Sequence, residues 1–328
     1  MQKDEILVSV ICTAYNHEPY IRSALDGFVM QKTNFRYEVL IHDDASKDNT
    51  AQIIREYAEK YPEIIVPVLQ TENQHSKGVK ITNTILRPMI RGKYIALCEG
   101  DDFWTDENKL QRQVDFLEAN PDYVACAHNT LVHDCSGKQQ DYRYFPGEQD
   151  HDVVFEQLVC GLKNTYHTSS LMMRKEVAFD LPDYYHVSVA AYRGGDWPRA
   201  IYMSLNGKIR CLAGVMSYYR LMSNPYSWST RHYSDVAGKI REMDGNIAML
   251  EALKKHLTPE QIVLAEKTIT DRTFTKLMLQ ERYDELKDPR FKGVWEEKSR
   301  TEKTKLWIKM HFTWVYHLYR RIKKWLKK

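Results

Sequence analysis

Short apolar runs alternate with amphipathic stretches along the N-terminal part of the chain. The apolar runs lie at residues 6–11, 37–44, 64–70 and 94–98, and each ends in polar residues, as buried parallel strands do. Between the first two runs, Ile21, Leu25 and Phe28 recur at helical spacing. Strands and helices in alternation predict an open, mostly parallel α/β sheet flanked by helices.

The pattern changes toward the C-terminus. Residues 134–152 are polar and rich in turn-forming residues, so we expect a surface loop there. Beyond residue 234 the apolar residues recur only at helical spacing. We therefore predict an α/β domain over residues 1–230 and a helical region over residues 231–328.

Polar side chains follow three of the predicted strands. They are Thr13, Tyr15 and Asn16 after the first strand, His42, Asp43 and Asp44 at the end of the second, and Glu99, Asp101 and Asp102 after the fourth. Ligands of open α/β sheets bind at the carboxyl ends of the strands, where the loops gather. The three clusters predict one site built from three loops, although Asp43 and Asp44 could instead form a turn with a side-chain cap.

The stretch CEGDDFWTDENKL (98–110) places three carboxylates directly after an apolar strand. Buried carboxylates that lie side by side repel each other, so a fold keeps them together mainly where a cation or a proton-transfer role offsets the cost. Mn²⁺ or Mg²⁺ fits, because these ions prefer oxygen ligands and take most of them from phosphate and water. The alternative is that Asp101, Asp102 or Asp106 caps the helix that starts near Asn108.

Composition narrows the classes of function. The chain has 47 Lys and Arg against 44 Asp and Glu, a net charge of +3, which is too balanced for a protein that binds nucleic acid over its whole surface. Its 6 cysteines are scattered without a CxxC pair, which favours a reducing compartment over a disulfide framework or zinc site. No stretch resembles a signal peptide or reaches the ~20 apolar residues of a membrane span. We expect a cytoplasmic protein.

The positive charge is concentrated at the C-terminus. Residues 305–328 contain eight Lys or Arg and no Asp or Glu, which leaves 3 − 8 = −5 on the rest of the chain. Apolar residues recur there at spacings of three and four, and three tryptophans are interspersed. Such a helix can lie on an anionic membrane surface. Alternatively, its apolar face packs on the protein or on a second chain, and the oligomeric state stays open.

Three motifs occur in a specific order: VSVICTAYNHEPYIRSALDGFVMQ, EVLIHDDASKDNT and GKYIALCEGDDFWTDENKLQRQV. Over roughly residues 6–220, this order resembles the N-terminal half of family 2 glycosyltransferases of the bacterial surface-polysaccharide type, which have the GT-A fold. The resemblance implies that the nucleotide is bound by Thr13, Tyr15, Asn16, Asp43 and Asp44. It also implies that Asp101 and Asp102 bind ribose and metal, whereas Glu99 stands where many members have Asp.

The resemblance also supplies a catalytic base. Inverting members use a carboxylate before a helix to deprotonate the acceptor hydroxyl, and GGDWPRAI places Asp196 there. Asp196 could also cap a helix that begins at Pro198. His167, in HTSS, falls where members approach the donor or acceptor sugar, or is structural. Lys77 could neutralise the diphosphate, or its charge is simply solvated.

We therefore predict an inverting glycosyltransferase that uses Mn²⁺ or Mg²⁺. We expect its donor to be a nucleoside diphosphate sugar with UDP as the nucleotide, and its acceptor to be a growing cell-surface glycan or a lipid-linked saccharide. A sugar-phosphate nucleotidyltransferase is an alternative, but such enzymes have a Gly-rich basic loop after the first strand, and CTAYNHEPY has no glycine. A nucleotide-sugar-binding protein without activity is a second alternative, against which Asp101, Asp102 and Asp196 argue.

Overall fold

A computed structural model describes residues 5–137, 139–161, 165–192, 195–221 and 235–311. Within these residues, one sheet contains all the strands. The strands are β1 (Ile6–Ala14), β2 (Arg36–Asp43), β3 (Ile65–Leu69), β4 (Tyr94–Leu97), β5 (Phe103–Trp104), β6 (Tyr123–Asp134), β7 (Tyr142–Arg143), β8 (His151–Val153), β9 (Met172–Arg174) and β10 (Lys208–Leu221).

The sheet has the strand order β3-β2-β1-β4-β9-β6-β10-β5, with β7 and β8 paired at β6 and β10. The parallel pairs are β1 with β2, β1 with β4, β2 with β3, and β6 with β10. The antiparallel pairs are short, such as β5 with β10 and β4 with β9. The predicted open, mostly parallel α/β sheet is confirmed, and the predicted loop at 134–152 contains β7 and the start of β8.

The helices lie between these strands and beyond them. They are α1 (Ile21–Val29), α2 (Thr50–Lys60), α3 (Lys109–Ala119), α4 (Phe155–Cys160), α5 (Asp183–Tyr192), α6 (Asp196–Asn206), α7 (Val236–Leu253), α8 (Pro259–Leu279), α9 (Lys292–Glu297) and α10 (Arg300–His311). Between β3 and β4 the chain forms a π-turn (Thr82–Leu86) and a 3₁₀ turn (Arg87–Met89) instead of a regular helix. Pro88 disfavours a regular helix here, because proline cannot donate a backbone hydrogen bond.

The core of the sheet fixes the position of β5, which follows the acidic residues. Phe28 of α1 packs edge-on against Trp104 of β5 with 4.9 Å between the ring centroids, and Trp104 is buried. A Cβ atom at Gly27 would lie 2.9 Å from the backbone nitrogen and oxygen of Trp104. Gly27 therefore permits the close approach of α1 to β5.

The chain divides into two compact units. The first contains residues 1–182 and 195–230, and the second contains residues 183–194 and 231–328. The predicted helical C-terminal region is confirmed, while the predicted domain boundary at residue 230 stays a prediction. The core of the helical C-terminal region contains Phe274, Leu277, Tyr283, Leu286, Phe291 and Leu306.

The predicted basic tail is only partly described. Residues 312–328 lie outside the described residues, so most of the predicted amphipathic helix stays a prediction. At its start, Leu306 is buried and Ile308 is 37% exposed. No helix in the described ranges combines the length and the apolar character that crossing a bilayer requires.

Candidate active site

A cavity of about 130 Å³ lies at the carboxyl ends of β1 and β4. Thr13 at the end of β1, Glu99 just after β4, and Asp196 at the start of α6 line it, together with Thr168. Parallel strands place their carboxyl ends at one edge of a sheet, so loops distant in sequence meet there. The structure thus brings three of the predicted site residues to one cavity.

Glu99, Asp101 and Asp102 form what we call the acidic corner. Glu99 lines the cavity and is exposed there. The protein around its carboxyl group, and then the charges of Asp101 and Asp196, raise the pKa of Glu99. Burial and the charge of Asp101 raise the pKa of the Asp102 carboxyl well above its usual range. The acidic corner therefore favours a proton or a cation.

Arg220, near the end of β10, contacts the acidic corner and was missed in the sequence. Its backbone N–H donates to Oδ1 of Asp102 at 3.0 Å, and its Nη1 donates to the carbonyl oxygen of Asp101 at 2.6 Å. The guanidinium lies 4.6 Å from the centroid of the Phe103 ring. The sequence shows a basic residue after the aromatic pair in SYYR. Because its partners are more than 100 residues away in sequence, this local pattern does not indicate which residues it contacts.

The chemistry of the acidic corner fits a hard divalent cation. Its donors are carboxylate oxygens, and the raised pKa values of Glu99 and Asp102 show that their negative charges are insufficiently compensated. In the described ranges, no group of three or more His, Cys, Asp or Glu is arranged to hold a metal ion. Mg²⁺ and Mn²⁺ commonly take one or two protein ligands and complete their shell with phosphate and water. Asp101 and Asp102 as metal ligands stay a prediction.

The loop after β1 is fastened to the loop after β2. The backbone N–H of Asn16 donates to Oγ of Ser46 at 2.8 Å, and Oδ1 of Asn16 accepts from the backbone N–H of Lys47 at 2.8 Å. The backbone N–H of His17 donates to Oγ1 of Thr50 at 2.8 Å. The motifs TAYNHEP and DASKDNT therefore form one hydrogen-bonded structure beside the cavity.

Asp43 and Asp44 are buried and accept hydrogen bonds from neighbouring loops. Asp43 accepts from the backbone N–H of Ser46 at 3.0 Å and also contacts its hydroxyl. Asp44 accepts from the backbone N–H of Gln74 at 2.7 Å and of His75 at 3.1 Å. Asp43 therefore makes the turn contact that was the alternative at the outset, and Asp44 fastens the loop after β3. Their nucleotide contacts stay predictions.

Two other predicted nucleotide contacts lie on the surface. Tyr15 is 41% exposed. The ammonium of Lys77 pairs with the carboxylate of Glu72, and both side chains are more than half exposed. An exposed pair of this kind costs little to break, so Lys77 is available to a diphosphate, although no contact in the structure assigns it that role.

Asp196 is the first residue of α6 and its side chain is exposed at the cavity. Gly195, rather than Asp196, occupies the N-cap position, and the helix begins two residues before Pro198. Trp197 and Pro198 are buried, so the helix start is anchored while the carboxylate stays accessible. A carboxylate in the first turn is also stabilised by the helix dipole.

His167 lies beside the acidic corner. Its Nδ1 is 3.9 Å from Oδ2 of Asp102, and its ring stacks on the Tyr219 ring with 3.9 Å between the centroids. Burial lowers the pKa of His167 to about 3, so the imidazole is neutral at physiological pH and forms no ion pair with Asp102.

A buried network in α3 supports the turn that carries His167. Nε1 of Trp104 donates to the carbonyl oxygen of Ser169 at 2.9 Å, and Nε2 of Gln113 donates to that of Ser170 at 2.9 Å. Gln113 in turn accepts from Nζ of Lys109 at 2.7 Å, and this ammonium lies 3.9 Å from the centroid of the Trp104 ring. The network ties β5 and α3 to residues 168–170.

Comparison with known sequences identifies the family. A sequence model described as "Glycosyl transferase family 2" matches residues 9–180. The uncharacterized protein Rv1520 of Mycobacterium tuberculosis is 34% identical over 267 residues, which cover 78% of this chain and 71% of that protein. UDP-Glc:alpha-D-GlcNAc-diphosphoundecaprenol beta-1,3-glucosyltransferase WfgD of Escherichia coli is 29% identical over 117 residues, covering 36% of this chain and 43% of that protein.

Solved structures show the same fold. TarS 1-349 of S. aureus, in complex with UDP-GlcNAc, has a TM-score of 0.59 at 17% identity and covers 93% of this chain and 79% of that chain. Mannosyltransferase PcManGT from Pyrobaculum calidifontis, in complex with GDP-Man and Mn²⁺, has a TM-score of 0.50 at 17% identity. The match covers 98% of this chain and 83% of that chain. The fold is thus of the predicted GT-A type. The family model matches more than half of the residues of this chain, so the chain belongs to glycosyltransferase family 2.

Proposed function

We propose that the chain transfers a sugar from a nucleoside diphosphate sugar to an acceptor hydroxyl, with inversion at the anomeric carbon. The observation that carries this proposal is the cavity that joins Thr13, Glu99 and Asp196 beside the buried Asp102. UDP is our proposed nucleotide. TarS was solved with UDP-GlcNAc, and WfgD is named for a UDP-Glc donor.

Asp196 is the proposed general base. Its exposed carboxylate can accept the proton of an acceptor hydroxyl while that oxygen attacks the anomeric carbon and the nucleoside diphosphate leaves. Glu99 lines the same cavity, and in this proposal it contacts the nucleotide sugar.

The acidic corner is the proposed site of the diphosphate. Asp102 and Asp101 would hold Mn²⁺ or Mg²⁺, and Asp101 would also approach the ribose. When bound, the cation would offset the charge of the leaving diphosphate. Arg220 holds the Asp101 backbone and the Asp102 carboxylate in place.

The two fastened loops would hold the nucleoside. In this proposal Thr13, Tyr15 and Asn16 contact it directly, and Asp43 and Asp44 act at the same place while they order the loops. Lys77 would approach the diphosphate. Support comes from the hydrogen bonds that fix these loops at the cavity.

The proposed acceptor is a lipid-linked saccharide or a growing surface glycan. WfgD is named for an acceptor on diphosphoundecaprenol, and the basic residues of 305–328 would suit an anionic membrane surface. Flotation with anionic liposomes, with and without residues 305–328, tests the membrane contact. Equal flotation of both chains contradicts it.

Transfer assays with matched variants test the function. Asp196→Asn and Asp102→Asn should each lower transfer by about 100-fold or more, measured with UDP-Glc, UDP-GlcNAc and GDP-Man as donors. Asp106→Asn is the control, because Asp106 follows the acidic corner, and its side chain accepts from the Asn108 backbone N–H and pairs with Arg112 instead. Turnover near the wild-type value in both site variants would refute the assignment.

A further inference from the structure

The hydrogen bonds of His167 determine which ring nitrogen carries the proton. Nδ1 lies 3.2 Å from the backbone N–H of Ser169 and 2.8 Å from its hydroxyl. A backbone N–H can only donate, so Nδ1 must be an acceptor without a proton. The proton of the neutral imidazole is therefore on Nε2.

The ring that carries this N–H is held in one orientation. Tyr219 stacks on one face at an interplanar angle of 23°, and Tyr144 meets the ring edge-on with 5.6 Å between the centroids. The side chain of His167 is 16% exposed. With both the ring plane and Nδ1 fixed, the direction of the Nε2–H bond is fixed as well.

The fixed N–H lies next to the proposed donor site. Nδ1 is 3.9 Å from Oδ2 of Asp102, which is too long for a hydrogen bond, and the next residue, Thr168, lines the cavity with Glu99 and Asp196. Among the described residues, the ring hydrogen bonds of His167 are made by Nδ1, and Nε2 has no protein acceptor. An N–H without a protein acceptor, on a ring beside Asp102, is available to a ligand.

We propose that Nε2–H of His167 donates a hydrogen bond to an oxygen of the bound nucleoside diphosphate sugar, on the phosphate or on the sugar. His167 is then a donor-binding residue and takes no part in proton transfer. A neutral N–H suits this place, because a cationic side chain would pair with Asp102 and compete with a divalent ion for it. The inference rests on the proposed function and assigns a role within it.

Two substitutions separate this role from simple packing. In His167→Gln the side-chain amide can reach the position of Nε2, whereas in His167→Asn it reaches only the position of Nδ1. Calorimetry on the full chain with Mn²⁺ should use whichever of UDP-Glc, UDP-GlcNAc and GDP-Man the wild-type chain binds, together with its nucleoside diphosphate. We expect roughly tenfold weaker donor binding by His167→Asn and near wild-type binding by His167→Gln.

The nucleoside diphosphate identifies the accepting oxygen. Weaker binding of both the diphosphate and the sugar donor by His167→Asn supports a phosphate oxygen, and weaker binding of the sugar donor alone supports a sugar oxygen. Equal affinities in the two variants overturn the proposal, as does a raised acceptor KM with unchanged donor affinity. Thermal melting of both variants detects misfolding. A wild-type chain that binds none of the three donors refutes the proposed function itself. This result differs from one in which the wild-type chain binds a donor and the two variants bind it with equal affinity.

Discussion

Replacing Lys109 by methionine should stabilise the folded chain at neutral pH. Lys109 is fully buried in α3, where its ammonium donates to Gln113 and lies over the Trp104 ring. Burial lowers the pKa of Lys109 from 10.5 to about 7. Methionine keeps most of the volume of the lysine stem and carries no charge that must be desolvated.

The pKa of Lys109 gives the size and the direction of the expected change in stability. At about 1.4 kcal/mol per pH unit, the burial of the ammonium costs about 5 kcal/mol below pH 7. The unfolded chain keeps this proton up to about pH 10.5, whereas the folded chain releases it above about pH 7, so the wild-type free energy of unfolding rises with pH across this window. Loss of the bond to Gln113 costs about 1–3 kcal/mol. Lys109→Met should therefore raise the free energy of unfolding by about 2–4 kcal/mol at pH 7, and this difference from wild type should vanish by about pH 9.

Urea unfolding followed by circular dichroism at pH 7, 8 and 9 measures this difference. Lys60→Met is the control, because Lys60 is exposed at the end of α2. A difference between wild type and Lys109→Met that does not change with pH would refute the reasoning. So would a variant that is less stable than wild type at pH 7.

Three further predictions concern the packing and the acidic corner. Gly27→Ala should lower the melting temperature, because overpacking against the Trp104 backbone costs about 1–3 kcal/mol, whereas Gly293→Ala, which meets no atom within 4 Å, should not. Arg220→Met should weaken UDP binding in Mn²⁺ by roughly tenfold in calorimetry through loss of its bond to Asp101; unchanged affinity would show that Arg220 is dispensable. Mn²⁺ with UDP should raise the melting temperature of the wild-type chain but not of Asp102→Asn, and an equal rise in both would show that Asp102 is not a ligand of the proposed metal ion.

The sheet and the meeting of its strand ends could be predicted from the sequence. Apolar runs that end in polar residues identified β1, β2 and β4, and the convergence of Thr13 and Glu99 follows from parallel pairing alone. Asp196 could be assigned to the same site only through the family resemblance, because nothing in GGDWPRAI indicates which strand end α6 approaches.

Other features depend on long-range contacts that leave no local pattern. Lys109 lies in the polar stretch ENKLQRQV, which is typical of an exposed helix face, yet tertiary packing buries it. Arg220 contacts Asp102 across 118 residues of sequence. For Asp43, both alternatives were compatible with the sequence, since a carboxylate after a strand can cap a turn or bind a ligand.

The hydrogen bonds between the loops after β1 and β2 have a consequence for protein engineering. The backbone N–H groups of Asn16 and His17 and the side chain of Asn16 form hydrogen bonds with residues 46, 47 and 50, so each loop holds the other in shape. A loop of residues 13–18 grafted from another family member would lack the partners that hold its shape. Under the proposed function, in which these loops hold the nucleoside, an exchange of donor preference by grafting requires residues 13–18 and 43–50 to be transplanted together.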